Sequence, residues 1–224
     1  MYLSRVELPW ECARNPYNLH RAVWKLFPDE DREARKDQDA ERQGFLFRVE
    51  SAPVGRAARL LVQSRRVPQV AAGINLLGSR EFYPQPAEGL RLAFVLTANP
   101  VRTVVDTEAK EKPGKLARMA EKAIRRGDRL PRSPKSRVPL VKEDEQRVWL
   151  SRKLDGAGVV KALNVLPHAA TYFRKGNGSG KLVTASFEGV MQVIDPKQLL
   201  HLLENGIGPA KAFGCGLLLV RRTD

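Results

Sequence analysis

The chain has few of the residues that build metal sites and disulfide frameworks. Only two cysteines, Cys12 and Cys215, and three histidines occur among its 224 residues. Two cysteines cannot form a disulfide framework or a four-ligand zinc site, so we expect two reduced thiols. The acidic residues lie mostly in charged loops and on helix faces and form no spaced cluster, which disfavours a magnesium-dependent reaction. We therefore expect a protein without a metal or other cofactor.

Long apolar runs are also missing. No stretch reaches the roughly 18 consecutive apolar residues of a transmembrane helix. The first residues, MYLSRVELPWECARN, lack the basic and then apolar order of a secretory signal. No basic helix carries a broad apolar face, which argues against a membrane surface as the partner. These features predict a cytoplasmic protein.

Acidic residues are clearly fewer than basic residues. Lysine and arginine number 39 against 25 aspartates and glutamates, which gives a net charge of +14 and a pI of about 10.2. Such a chain attracts polyanions, and nucleic acid is the expected partner. Eleven basic and four acidic residues fall between residues 108 and 137. This segment is either a solvated surface stretch or an arm that becomes ordered on nucleic acid.

The hydrophobic fraction, 42% of the chain, is sufficient for packed cores. In the first half we expect a strand at 1–8, a helix from Pro16 to about Phe27, and a charged segment at 28–43. Strands follow in GFLFRVES, AARLLVQS and LRLAFVLTANP, with a weaker helix in VPQVAAGINLLG. This order of elements is that of the split βαβ, ferredoxin-like pattern.

The pattern restarts after Arg137. A helix is expected in KEDEQRVWLSRKL, a strand in VVKALNVL, one long hairpin in TYFRKGNGSGKLVTASFEGVMQVI, a helix from Asp195 and a last strand in LLLV. We therefore predict an α+β protein with two tandem ferredoxin-like (βαββαβ) domains and antiparallel sheets. The predicted parts are an N-terminal domain at 1–105, a basic linker or loop at 106–138, and a C-terminal domain at 139–224.

One histidine lies on the first helix, outside its apolar stripe. Leu19, Ala22, Val23 and Leu26 recur at helical spacing and should face the core. His20 is about 100° and Tyr17 about 160° away from Leu19 on a helical wheel. His20 is either an idle surface residue or a proton-transfer group. RNA carries its own nucleophile, the 2′-hydroxyl, so a single histidine with nearby cations could support its cleavage.

Two glycine-containing segments carry further cations. The segment 206–216 contains Gly206, Gly208, Gly214 and Gly216 together with Lys211. It follows a helix and precedes a strand, the reverse of a nucleotide phosphate loop. Its glycines either permit a chain reversal or let backbone amides approach phosphates, with Lys211 adding charge. The second segment, 174–181, projects Arg174, Lys175 and Lys181 from a hairpin that could reach an RNA stem-loop.

Taken together, the sequence resembles the CRISPR-associated endoribonucleases of the type I-E Cascade complex (the CasE family, in the RAMP superfamily). The resemblance runs from end to end and rests on blocks that keep their order and spacing. These blocks are MYLSRV, NPYNLHRAVWKLFP, FLFRVE, ANPVRTV, SRVPLVKEDEQRVWL, GKLVTASFEGVMQVID and GIGPAKAFGCGLLLV.

The resemblance implies metal-independent cleavage of precursor CRISPR RNA within the repeat, at the base of a stem-loop. The product would be a 2′,3′-cyclic phosphate, and the protein would retain the hairpin as a Cascade subunit. It places His20 and Tyr17 in the catalytic site and assigns the basic hairpin and the glycine-rich segment to RNA binding. Further candidate RNA-binding cations are Arg21, Arg102, Arg137 and Lys142. The alternative is a non-catalytic subunit that binds hairpin RNA in a ribonucleoprotein complex.

Overall fold

The computed structural model describes residues 1–29, 44–105, 121, 124–125, 135–175 and 178–223. Most of the charged segment predicted at 28–43 and of the basic segment 106–138 lies outside the described residues, as do residues 176–177 of the hairpin tip. The chain forms two compact units, a larger one from residues 1–100 and 141–224 and a smaller one from residues 101–140. None of the described helices is both long and apolar enough to cross a membrane.

The described strands and helices alternate along the chain. In chain order they are β1 (Tyr2–Leu8), α1 (Trp10–Ala13), α2 (Pro16–Val23), a 3-10 turn (Trp24–Leu26), β2 (Phe45–Ser51), β3 (Ala58–Ser64), β4 (Asn75–Glu81), β5 (Arg91–Ala98), β6 (Val101–Val105), β7 (Lys135–Pro139), α3 (Glu143–Leu154), β8 (Gly158–Pro167), β9 (Thr171–Lys175), β10 (Gly178–Leu182), β11 (Ala185–Val193), α4 (Pro196–Asn205), a second 3-10 turn (Lys211–Phe213) and β12 (Leu218–Arg222).

The larger unit contains two four-stranded antiparallel sheets. The first has the strand order β2-β3-β1-β4, and the second has the order β12-β5-β11-β8. Numbered within each sheet by chain order, both read 2-3-1-4 in one direction, which is the arrangement of a split βαβ fold. The prediction of an α+β protein with two tandem ferredoxin-like folds and antiparallel sheets is therefore confirmed.

The fourth strand of the first sheet differs from the prediction. The segment VPQVAAGINLLG was expected to be a weak helix, but it holds a loop that turns at Gly73 and then enters β4 at Asn75. Among the described strands β4 pairs with β1 alone, and it lies at the sheet edge, where most of its side chains are exposed. An edge strand with no buried face has no alternation of apolar residues, so the sequence pattern carries no signal for a strand here.

The predicted domain boundary at residue 105 does not separate the two sheets. β5 was expected to close the first domain, yet it pairs with β11 and β12 in the second sheet. Because β4 already supplies the fourth strand of the first sheet, β5 is the first strand of the second. The second ferredoxin-like fold therefore begins at Arg91 and continues after the smaller unit.

The segment expected to form one long hairpin is divided between two sheets. β9 and β10 form a short two-stranded hairpin, whereas β11 leaves it and pairs with β5 and β8. Buried residues of β11, including Phe187 and Met191, pack in the second core. The short β9–β10 hairpin is thus a sheet of its own, separate from the second four-stranded sheet.

The smaller unit contains an antiparallel ribbon of β6 and β7. Arg102 lies opposite Val138, and Thr103 lies opposite Arg137. Directly opposed residues share a face of an antiparallel pair and neighbouring positions alternate, so Arg102 and Arg137 point to opposite faces. Both side chains are exposed.

Contacts of β2 and β3 help to join the first and second folds within the larger unit. Gln63 of β3 donates a hydrogen bond of 2.6 Å from Nε2 to the carbonyl oxygen of Leu203 on α4. The glycine-rich segment after α4 packs on β2, where a Cβ added to Gly214 would lie 3.1 Å from the ring of Phe47. These contacts place the second 3-10 turn against α2.

Candidate nucleic-acid interface

Helix α2 begins where its sequence predicts. The Asn15 side-chain oxygen accepts a hydrogen bond of 3.1 Å from the Tyr17 backbone N–H, and Pro16 occupies the first helical position. Such a cap satisfies an otherwise unpaired N–H at the helix start. The predicted apolar stripe is confirmed, since Leu19, Ala22, Val23 and Leu26 are all buried.

His20 lies off that stripe but is half-buried, not exposed. Its ring centroid is 5.4 Å from that of Phe45 and 5.9 Å from that of Trp24. Phe45 belongs to β2 and is itself buried. The helical wheel describes only the helix, so it did not reveal this neighbouring strand. Burial by these surroundings lowers the pKa of His20 below its ordinary value of 6.5.

A neutral imidazole at pH 7 is suited to accept a proton. Tyr17 precedes His20 by one helical turn and is half-buried, while Arg21 is exposed. All three residues lie on the part of α2 that does not enter the core. The arrangement thus offers a proton acceptor, a hydroxyl group and a cation on one short helix.

The basic hairpin is anchored beside α2. Asn15 Nδ2 donates a hydrogen bond of 3.0 Å to the backbone oxygen of Arg174. The ring of Phe173 packs on that of Phe213, with the centroids 4.5 Å apart. A Cβ at Gly180 would lie 2.3 Å from this same Phe173 ring, so the glycine allows the close approach. Asn15 thus caps the helix and also holds the hairpin.

The hairpin presents its polar side chains to solvent. Arg174 lies opposite Ser179, and Lys181 lies opposite Tyr172. Arg174 and Lys181 are exposed, and Lys175 is the last residue of β9. Tyr172 is 71% exposed, and its ring centroid lies 5.9 Å from Lys181 Nζ. An exposed aromatic ring beside cations is a common feature of RNA-binding surfaces.

A cleft of about 520 Å³ lies between the first helices and the hairpin. Its lining combines cations, amides and aromatic rings with one carboxylate: Glu11, Arg14, Asn15, Asn18, Tyr172, Phe173, Arg174 and Ser179. Sequence reasoning selected only Arg174 from this set for RNA binding. Tyr172 could have been found as the aromatic residue next to the predicted cations. Arg14 and Asn18 had no such signal, because only the fold places them opposite the hairpin.

The glycine-rich segment has a structural role that differs from the phosphate cradle considered above. Its four glycines all have positive φ, at 72° for Gly206, 78° for Gly208, 81° for Gly214 and 92° for Gly216. The amides of Gly206, Gly214 and Gly216 donate to carbonyl oxygens of the protein itself. These three amides are therefore already engaged within the fold.

Lys211 is also engaged within the fold. Its side chain is buried, and its Nζ donates to the backbone oxygen of Asn205 at the end of α4. A cation at this position stabilises the carbonyl end of a helix. Burial lowers the pKa of Lys211. In this structure the ammonium group binds the end of α4, and a contact of Lys211 with RNA stays a prediction.

The remaining candidate RNA-binding residues are distant from His20 in the sequence. Arg102 and Arg137 belong to the β6–β7 ribbon of the smaller unit, and Lys142 is an exposed residue just before α3. A histidine outside the predicted set, His168, makes a 3.0 Å hydrogen bond with the Thr184 hydroxyl, and burial together with the charge of Arg48 lowers its pKa. Among the described residues, no group of three or more histidine, cysteine or acidic side chains could hold a metal ion.

Comparison with known proteins places these features in a family. The chain is 35% identical over 219 residues to the CRISPR system Cascade subunit CasE of Escherichia coli K12, covering 97% of this chain and 98% of that protein. The crystal structure of Cas6e from E. coli K-12 superposes with a TM-score of 0.76 at 34% identity, covering all of both chains. A structure of the CRISPR endoribonuclease Cse3 bound to a 19-nucleotide RNA gives a TM-score of 0.73 at 26% identity, covering 99% of this chain and 100% of the other.

A family model agrees with these similarities. The model described as CRISPR associated protein matches residues 1–222, which include both ferredoxin-like folds, helix α2 and the basic hairpin. The match thus extends over the scaffold as well as the candidate site. This chain belongs to the CRISPR-associated protein family.

Proposed function

We propose that this protein is a metal-independent endoribonuclease that cleaves precursor CRISPR RNA within the repeat, at the base of a stem-loop. It then retains the hairpin product as a subunit of a Cascade complex. The observation that carries the proposal is the end-to-end similarity to a Cascade subunit and to an endoribonuclease whose structure contains RNA. The net charge of +14 agrees with a polyanionic substrate.

His20 accepts the proton of the RNA 2′-hydroxyl in this proposal. The 2′-oxygen attacks the adjacent phosphorus, and the bond from phosphorus to the 5′-oxygen breaks. The products are a 2′,3′-cyclic phosphate on the upstream fragment and a 5′-hydroxyl on the downstream fragment. The 5′-oxygen takes up a proton from solvent, and His20 afterwards releases its own proton to solvent. The contacts of His20 with Phe45 and Trp24 favour the neutral imidazole that this step needs.

Two further residues of α2 assist the reaction in this scheme. The Tyr17 hydroxyl can donate a hydrogen bond to the reacting phosphate, and Arg21 supplies a positive charge near the negative transition state. Both follow from their position on the off-core side of the helix that carries His20.

The hairpin binds the RNA stem. Arg174, Lys175 and Lys181 contact phosphates, with Arg174 lining the cleft beside α2. Arg102, Arg137 and Lys142 are further candidates for contacts with the RNA. Because the hairpin is bonded to Asn15 through the Arg174 backbone, RNA bound there is held close to the helix of His20.

The proposal is tested with repeat RNA in EDTA and with RNA that has a 2′-deoxyribose before the cut. We expect cleavage to continue in EDTA and to stop with the deoxy substrate. Loss of cleavage in EDTA would contradict the metal-free mechanism, and cleavage of the deoxy substrate would contradict 2′-hydroxyl attack. His20→Ala then separates an enzyme from a binding subunit: we expect retained RNA binding and lost cleavage.

A further inference from the structure

A second groove lies on the other ferredoxin-like fold and takes no residue from the cleft beside α2. After β4 the chain crosses from the first sheet to the second through Phe82, Tyr83, Pro84, Gln85 and Pro86, here called the strap. A groove of about 300 Å³, here called the strap groove, separates the strap from α4 and β12. β12 lies at the edge of its sheet.

The strap groove combines an apolar floor with a basic rim. Leu92 and Leu203 form part of its buried floor, and Tyr83, a further lining residue, is 65% exposed. Arg221 and Arg222 contribute exposed side chains from the end of β12. Among the described residues that line the groove, none is an aspartate or a glutamate. A complementary ligand therefore carries apolar groups together with negative charge.

The shape of the strap groove favours a protein segment over RNA. Pro84 and Pro86 have restricted backbone φ angles. The strap therefore loses little conformational entropy when a ligand binds. Aromatic and apolar walls accept inserted side chains, and adjacent arginines form charge-assisted hydrogen bonds with carboxylates. An edge strand with apolar surface beside it is also a site where another chain readily packs.

We propose that the strap groove is the docking site for an extended acidic segment of a neighbouring protein subunit, with an apolar side chain inserted between the strap and β12. This inference rests on the proposed function in one respect, namely that the protein works within a multi-subunit complex. It adds a protein-binding surface on the second ferredoxin-like fold, separate from the RNA site on α2 and the β9–β10 hairpin.

The first experiment measures how firmly the protein is held in the reconstituted complex. The complex is assembled from its subunits and CRISPR RNA. Excess free stem-loop RNA is then added, because it displaces protein that is attached only through the RNA stem-loop. Reversal of both rim charges, Arg221→Glu with Arg222→Glu, should release the protein about tenfold faster, a change expected for lost charge complementarity. The matched control, Arg152→Glu with Lys153→Glu, changes the net charge equally on exposed positions of α3 and should not alter release.

The second experiment identifies what occupies the strap groove. A photo-reactive benzoyl-phenylalanine replaces Tyr83, and the assembled complex is irradiated. We expect a covalent adduct with one protein subunit, joined through a segment rich in aspartate or glutamate. An adduct with RNA, the absence of any adduct, or equal release of the rim variant and the control would each overturn the proposal.

Cleavage by the isolated protein distinguishes a failure of this proposal from a failure of the proposed function. The rim variant should cut repeat RNA at the wild-type rate, since none of its changed residues lines the cleft beside α2. If the wild-type protein fails to cut the RNA, the proposed function fails while the crosslink at position 83 still reports on docking.

Discussion

At the scale of single residues, Phe45 and Trp24 determine the surroundings of His20. Their rings lie within 6 Å of the imidazole, measured between centroids. Burial lowers the pKa of His20, so the neutral form is favoured at neutral pH. The same shift affects stability: as the pH falls below 6.5, the unfolded chain takes up a proton at His20 that the folded chain resists. Folding stability from this group therefore decreases on acidification.

The pH dependence of cleavage tests this environment. If His20 acts as the base, the single-turnover rate should rise with pH and level off, with its inflection below 6.5. Phe45→Leu removes the ring beside the imidazole and admits water, so the inflection should move upward toward 6.5.

Phe47→Leu is the matched control for this measurement. Phe47 is the next inward-facing phenylalanine of β2 and is fully buried in the same core. Both substitutions should lower stability by about 1 kcal/mol, the usual scale for such apolar exchanges. Only Phe45→Leu should move the inflection. A shift of equal size in both variants would mean that a general loss of packing is responsible.

The sequence was informative about individual residues where their own helix determines the outcome. Leu19, Ala22 and Val23 are buried as their spacing predicts. The half-buried state of His20 could not be predicted from α2 alone, because Phe45 approaches it from a strand more than twenty residues away. The burial of Lys211 likewise depends on the folded backbone, because its ammonium group binds the carbonyl oxygen of Asn205 at the end of α4.

At the scale of elements, Asn15 connects α2 with the β9–β10 hairpin. Its side-chain oxygen caps the helix, while its side-chain nitrogen donates to the Arg174 backbone. The two functions use different atoms, so they can be separated by substitution. Asn15→Ser keeps an oxygen for the cap but loses the amide donor to the hairpin.

We expect Asn15→Ser to reduce affinity for stem-loop RNA severalfold while leaving stability within a few tenths of a kcal/mol. Asn15→Ala should lose the same affinity and also about 1 kcal/mol of stability, because it removes the cap as well. RNA titration and denaturant unfolding measure the two effects. Hydrogen exchange in β9 and β10 should increase in both variants; unchanged exchange in both would show that the bond to Arg174 does not hold the hairpin.

Sequence patterns located most elements but did not assign every strand to its sheet. β5 has alternating buried residues and was recognised, yet β4 is largely exposed and was not. Counting the recognised strands in order therefore placed β5 in the first fold. Pairing depends on contacts between distant segments, and a missed edge strand shifts every later assignment.

At the scale of the whole molecule, the glycine-rich segment connects the second ferredoxin-like fold with the first. Gly214 has φ of 81°, and a Cβ there would lie 3.1 Å from Phe47. The adjoining 3-10 turn packs against α2, the helix of His20. The family resemblance had assigned this segment to RNA binding, but its four glycines also satisfy a packing requirement. That requirement becomes visible only when both folds are present.

Gly214→Ala tests whether this packing supports catalysis. Gly55→Ala is the matched control, since Gly55 has a similar φ of 74° with nothing within 4 Å of an added Cβ. The backbone conformation alone should cost each variant about 1–2 kcal/mol. Gly214→Ala should lose about 1 kcal/mol more, because the methyl group presses on Phe47. Denaturant unfolding measures this difference.

Cleavage rates then show whether the steric strain at Gly214→Ala affects α2, the helix that carries His20. At saturating RNA and a temperature where both variants are folded, the single-turnover rate of Gly214→Ala should fall several-fold below that of Gly55→Ala. The physical reason is that Phe47 lies beside Phe45 in β2, with ring centroids 6.3 Å apart, and Phe45 contacts His20. Displacement of Phe47 can therefore shift the position of His20, while the Phe45 ring stays beside the imidazole and preserves its pKa. If both variants cleave at the same rate, the glycine-rich segment contributes to stability alone, and the geometry of His20 is maintained by the first ferredoxin-like fold without help from the second.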